Sequence, residues 1–527
     1  MHRTPAAPGF SGPSFPIVFA ILGLLTTIWS FASPIMSVPD EDAHAVRAAS
    51  VARGQLLLES NGQQSEKSAV LVPGYLADLE EGRCFQFQAK VTADCAPDMD
   101  ATDTGLRQAT TSAGNYNPLY YLAAGLPTLV LSGAPAVYGM RILSGLLSAA
   151  LLASTISSAG RLGKPKWPVT AALVALTPMV LFLSGSVNPN AMEIAAAAAL
   201  FMNLCVVLEN HSGPAAVRSN IVMVAVSGTV LANTRPVSLL WLALAVAAAV
   251  LAYGYRPLLK VLTDRLSQVM VVVLGAGCAL SLLWLTESQS FKSLLGQPLD
   301  ITPGTAAAIM LDRTFDYATG YIGFMGWLDT RLPQGIYIFW YFAMAAVLLA
   351  GVTARPVRGR WGVYVLIIAV VVIPPVMQAQ VVQDLGWIWQ GRYLLALIVV
   401  LLLACGVANR FQPFPVDSAG ARSAAGWLLG TAAVAHVYAF VYVFRRYTVG
   451  LDELVRWGEM TDPAWQPPGT WQGLTLAYAL VMAAGAVLAY KYLFGAVTVP
   501  VRTARSGRRA AGRNPAPDTV PAGRDGA

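Results

Sequence analysis

The chain has 527 residues, of which 56% are hydrophobic and only 12% charged, against roughly 25% charge in a soluble domain. With a mean hydropathy of +0.56 this excludes a water-soluble globular enzyme and makes lipid the solvent for much of the surface. The net charge of +7 does not imply nucleic acid, because basic residues crowd short inter-helix loops and the tail at Arg502, Arg505, Arg508, Arg509 and Arg513, the positive-inside pattern of a membrane protein.

Residues 1–14 form a Pro/Gly-rich stub, and 15–37 the first transmembrane helix, read as uncleaved because no small-x-small site follows it. Residues 38–137 are a large polar loop. Apolar runs then predict helices near 138–159, 168–184, 190–208, 220–234, 236–253, 266–286, 333–353, 361–379, 392–408, 424–444 and 472–494. Within this bundle of 138–494, longer loops fall at 287–332 and 445–471, and residues 495–527 read as a basic, disordered tail.

The run NPLYYLAAGLPTLVL (117–131) needs separate treatment. Its length is short of the roughly 20 residues a span needs, Pro127 interrupts it, and Tyr116, Tyr120 and Tyr121 cluster at its start as interfacial anchors do. It is read as a juxtamembrane helix at the outer interface. With that choice and a cytoplasmic N-terminus, 20 of 35 basic residues fall inside and 23 of 28 acidic residues outside, 12 of the latter in 38–115.

Two of the five cysteines, Cys84 and Cys95, sit in the large loop. They allow a local disulfide if the loop faces an oxidising compartment, or half of a zinc shell. Asp94, Asp98, Asp100 and Asp103 lack EF-hand spacing, so no cofactor is expected, a divalent cation being the alternative. There is no Walker A loop, GxGxxG or GxSxG, which leaves nucleotide-driven transport and serine hydrolysis without support.

Candidate chemistry begins after the first span, in Pro39-Asp40-Glu41-Asp42-Ala43-His44-Ala45-Val46-Arg47. Pro39 and three acids suit a helix N-terminus, and Asp40, His44 and Arg47 at i, i+4 and i+7 share a face of it. One reading is capping plus a solvated charged face; the other is an acid held at the membrane surface for proton abstraction. Arg392, Arg235 and Arg141 stand at expected outer helix ends. Each alone suits snorkelling to headgroups, whereas three together suit a lipid-linked phosphate, which arginine matches bidentately.

The order of these features resembles the GT-C superfamily of membrane glycosyltransferases. More closely, PDEDAHAVRAASVARGQL (39–56), NPLYY (117–121), NPNAMEI (188–194) and QGRYLLAL (390–397) resemble a bacterial membrane family catalogued as domain of unknown function 2142, over most of 15–410. The resemblance implies an all-α, polytopic, GT-C-like fold of about 12 transmembrane helices with an outer-face active site. It implies a sugar donor on a polyprenyl-phosphate carrier, a glycan or lipid acceptor of the cell envelope, and inversion at the anomeric carbon. The acid matching Asp40 is implied as general base, with Glu41 beside it. Arg392, Arg235 and Arg141 then become candidates for the donor phosphate, with His44, Arg47 and Tyr120 in support. The glycine-aromatic stretch 320–327 is a candidate cover for the lipid headgroup.

The expected location is the bacterial plasma membrane with both termini cytoplasmic. Two rival classes remain: a lipid or polysaccharide transporter, disfavoured by nearly charge-free span centres, and a non-catalytic scaffold of envelope assembly. The orientation is testable in intact cells. A cysteine at position 64 or 465 should react with an impermeant probe, and one at 163 or 357 should not; outside labelling at 163 would mean that 117–131 spans the membrane.

Overall fold

The computed structural model describes residues 13–58, 67–288, 297–414, 419–451 and 457–495. The expected stub up to residue 12 and the basic tail from 496 lie outside the described residues. α1 (Phe15–Ala32) is an uncharged helix, followed by α2 (Glu41–Ala52). The polar region after α2 holds an antiparallel pair, β1 (Ser68–Pro73) with β2 (Leu106–Thr111), in which Val70 faces Ala109. Val70, Val72, Ala109 and Thr111 are buried while their neighbours in sequence are mostly exposed, the period-2 pattern of a strand with one covered face. Both strands pack on α2, and Cys84 and Cys95, between the strands, are joined in a disulfide.

α3 (Pro118–Gly125) has eight residues and runs into a 3-10 turn at Leu126–Leu129. Asn117 caps it by accepting the Leu119 N–H. Gly125 lets α3 lie tightly on α2, since a Cβ there would collide with the Ala48 carbonyl oxygen.

The bundle continues through α4 (Gly133–Ala159), α5 (Lys166–Ala175), α6 (Pro178–Ser184), α7 (Pro189–Glu209), α8 (Arg218–Ala232), α9 (Ser238–Tyr253), α10 (Tyr255–Val261) and α11 (Arg265–Glu287). Next come α12 (Pro303–Asp312), α13 (Thr319–Ile322), a small hairpin of β3 (Phe324–Met325) and β4 (Thr330–Arg331), then α14 (Gln334–Thr353), α15 (Arg358–Leu385), α16 (Leu395–Ala408), α17 (Ala419–Thr448) and α18 (Trp471–Phe494). Among the described residues ten helices are long and apolar enough to cross a membrane, and two bent pairs bring the number to twelve if each is one span.

The helix expected at 168–184 is one of those pairs, bent by 65° between α5 and α6. Pro178 supplies no N–H to continue the ladder, and the Thr177 hydroxyl caps the new start at Val180. α7 and α16 form the centre of the bundle. The run Ala195–Ala199 in α7 is wholly buried, and its small side chains let α4, α8, α9 and α16 approach closely. α11 and α18, by contrast, turn most of their apolar surface outward, as lipid-facing helices do. Asn203, Asn220, Ser154 and Ser158 join α7, α8 and α4 by hydrogen bonds inside the bundle.

Candidate functional site

Asp40, Glu41 and Asp42 each meet a different arginine. Asp40 is the residue before α2 and sits in the left-handed conformation (φ 66°), so its carboxylate does not cap the helix but swings away from it. Its Oδ2 accepts from Arg392 Nη2 at 2.7 Å. Glu41 is buried against α4, where Arg141 binds both its oxygens, Nε to Oε1 at 2.7 Å and Nη2 to Oε2 at 2.5 Å. Asp42 turns toward the polar layer and pairs with Arg83 at 2.9 Å. Burial raises the Asp42 carboxyl above its ordinary range, with Arg83 opposing the shift.

These three pairs differ in what they leave free. Arg141 also donates to the carbonyls of Ser30, Ser33 and Pro34, so all five of its N–H groups are engaged. It offers nothing to a phosphate, which corrects its assignment as a donor-phosphate ligand. Glu41 is likewise engaged, accepting from Arg141 and from the Val187 N–H with no exposure. Asp40 keeps half of its side chain exposed, while Arg392 is 1% exposed. Among the described residues Arg392 Nε and Nη1 have no hydrogen-bond partner.

Arg235 lies beside this pair but is already neutralised. Its Nη1 donates to Asn190 at 2.7 Å and to Glu193 at 3.2 Å, and its guanidinium stacks 4.6 Å from the Tyr393 ring. Arg392 lies over the same ring at 5.4 Å. His44 Nδ1 is 2.8 Å from the Tyr121 hydroxyl, and Tyr116 stands edge-on to the imidazole. Burial pulls the His44 pKa down to about 4; Asp40 opposes this, and Arg235 and Arg392 reinforce it, so the ring is neutral at pH 7.

Several expectations change at this point. Asp40, His44 and Arg47 do not act as one face: Arg47 donates to the carbonyls of Gln55 and Leu56, closing the chain after α2. Tyr120 and Tyr121 are buried rather than interfacial, with the Tyr120 hydroxyl 2.9 Å from Ser144 Oγ. The stretch 320–327 is not a free cover. Gly391 packs on Gly320 and the Tyr317 carbonyl, Thr177 binds the Tyr321 carbonyl, and buried Trp327 donates to the Met36 carbonyl. Asp94, Asp100 and Asp103 go separately to Thr92, Thr102 and Arg107, and among the described residues no three metal-ligating side chains converge.

The sequence reading missed Arg83, Asn188, Arg446 and Tyr447, and it placed Trp327 only in a candidate cover. Asn188, which donates to the Pro39 carbonyl, stands in the quoted NPNAMEI segment; the others carry no local signal.

These elements define a multi-pass helical membrane protein with a carboxylate–arginine site where α1, α2 and the 391–394 turn meet. The family model for a predicted membrane protein, DUF2142, matches residues 22–401, and the chain belongs to that family. No curated protein matches it. Among solved structures, ArnT from Cupriavidus metallidurans bound to undecaprenyl phosphate is similar at 13% identity and a TM-score of 0.44, over 91% of this chain and 76% of that one. The same protein in the apo state gives 12% identity and a TM-score of 0.41 over the same shares.

The contrast between Arg141 and Arg392 predicts opposite effects on stability. Arg141→Met leaves Glu41 buried and unpaired, a loss of about 3–5 kcal/mol that should lower the melting temperature sharply. Arg392→Met removes a poorly satisfied buried charge whose partner is half exposed, and should leave the melting temperature unchanged or raise it. Equal losses in thermal unfolding would contradict this division.

Proposed function

We propose that the chain is a membrane glycosyltransferase that moves a sugar from a polyprenyl-phosphate carrier to a glycan or lipid acceptor. The observation that carries this reading is Arg392: fully buried, unpaired at Nε and Nη1 among the described residues, and bonded through Nη2 to a half-exposed carboxylate. A buried guanidinium with free donors is costly unless an anion completes it, and phosphate oxygens match its geometry. The resemblance of the Asp40 segment to the acid of GT-C enzymes supports the same assignment.

In this reading the acceptor hydroxyl attacks the anomeric carbon as Asp40 takes its proton. The bond from that carbon to the phosphate oxygen breaks with inversion, and the polyprenyl phosphate leaves on Arg392. Arg235, already paired with Glu193, ranks second to Arg392 as a phosphate ligand. Arg392 is closed off from solvent, so donor binding requires a local rearrangement around Tyr393, whose ring lies against the guanidinium. A phosphate there also competes with Asp40 for the guanidinium.

The charge census supports placing this end of the bundle, with the 38–137, 287–332 and 445–471 segments, at the outer face of a bacterial plasma membrane, both termini inside. α3 and the turn after it expose Leu119, Leu122, Leu126, Leu129 and Val130, an apolar surface suited to the interface of the bilayer.

Asp40→Asn keeps shape but accepts no proton at neutral pH, so transfer should slow by about 10²-fold or more while donor binding persists. Glu41→Gln should instead act on folding. Arg392→Ala should weaken polyprenyl-phosphate binding, with Arg392→Lys restoring only part of it. Full activity of Asp40→Asn in a transfer assay would remove the assigned base. Absence of turnover by wild type across a broad donor panel would favour the scaffold.

A further inference from the structure

The segment joining α1 to α2 contains two non-glycine residues in the left-handed region, Met36 (φ 62°) and Asp40 (φ 66°). Aspartate tolerates that region, but methionine is disfavoured there and stays only when its surroundings over-determine it. The surroundings do so carbonyl by carbonyl. Beyond the bonds from Arg141 to Ser33 and Pro34 and from Asn188 to Pro39, two side chains hold the middle of the segment. Trp327 Nε1 donates to the Met36 carbonyl at 2.9 Å, and the Tyr447 hydroxyl donates to the Ser37 carbonyl at 3.1 Å.

Both donors are buried, and both are anchored by one guanidinium. Arg446, next to Tyr447, pairs with Asp329 of the hairpin that carries Trp327, at 2.8 Å. It also takes the carbonyls of Phe85, Gln88 and Val91 from the loop that the Cys84–Cys95 disulfide closes. α17, which contributes Arg446 and Tyr447, lies beyond the residues 22–401 that the family model matches.

We propose that Trp327 and Tyr447 are positioning residues for Asp40. Their two hydrogen bonds hold the Met36 turn in the one conformation that delivers the carboxylate to Arg392. A functional part of this chain's site therefore comes from α17, outside the family-defining region. The consequence for catalysis rests on the reading of Asp40 as general base.

The test compares wild type, Tyr447→Phe and Trp327→Phe, each as full-length protein in nanodiscs. Tyr447→Phe removes a single hydroxyl, so folding should be retained even if the tryptophan variant expresses poorly. Hydrogen–deuterium exchange should rise about fivefold or more at the amides of residues 35–40, the change that losing one hydrogen bond of ordinary strength gives. The rest of α1 and α2 should exchange as in wild type. In turnover, kcat should fall while KM for the donor stays constant, because the phosphate site is intact. Unchanged exchange at 35–40 in Tyr447→Phe, or a rise spread evenly over the bundle, would overturn the proposal. Exchange is read without turnover, so an inactive wild type would count against the glycosyltransferase reading and leave this result to decide the positioning.

Discussion

Glu41 and Arg141 meet with neither exposed, and five hydrogen bonds from one guanidinium tie the end of α1, the start of α2 and the middle of the bundle to a single point. Removing either partner strands a charge in a low-dielectric interior at a cost of about 3–5 kcal/mol, so this contact fixes where α2 begins. Its two neighbours in sequence are then forced in opposite directions. Asp40 faces Arg392 and keeps solvent access; Asp42 faces Arg83 in the polar layer. Three successive acids thus divide into an anchor, a half-exposed carboxylate and a brace, by position alone.

The division separates the contact that holds the fold from the pair proposed to meet the donor. The anchor is fully satisfied, whereas the Asp40–Arg392 pair is left incomplete, with two guanidinium nitrogens unbonded among the described residues. Incomplete buried polar groups are the exception in folded proteins and call for a reason; a ligand that completes them is a physical one. His44, whose charged form burial disfavours, and the Arg235–Glu193 ion pair surround it.

Much of the scaffold was legible from composition. Uninterrupted apolar runs with charge confined to their ends mark helices in lipid, and the structure places helices on all twelve expected segments. The segment after the first span also stood out, because three acids after a proline have few uses at a membrane surface. Roles within it were not legible, since periodicity describes a regular helix and Asp40 lies outside one, in a left-handed cap. Arg141 and Arg392 looked equivalent for the same reason: both are arginines at helix starts, and only partners more than 90 residues away in sequence, Glu41 and three carbonyls for one and Asp40 for the other, tell them apart. Tyr447 and Trp327 act on backbone carbonyls through side chains, a contact that leaves no residue-type pattern to find.

The structure of the full-length protein in nanodiscs with saturating polyprenyl phosphate tests the central claim most directly. The account predicts a phosphate oxygen within hydrogen-bonding distance of Arg392 Nε or Nη1, with the Asp40 carboxylate beside it. A phosphate bound elsewhere, with Arg392 still bonded only to Asp40, would contradict it.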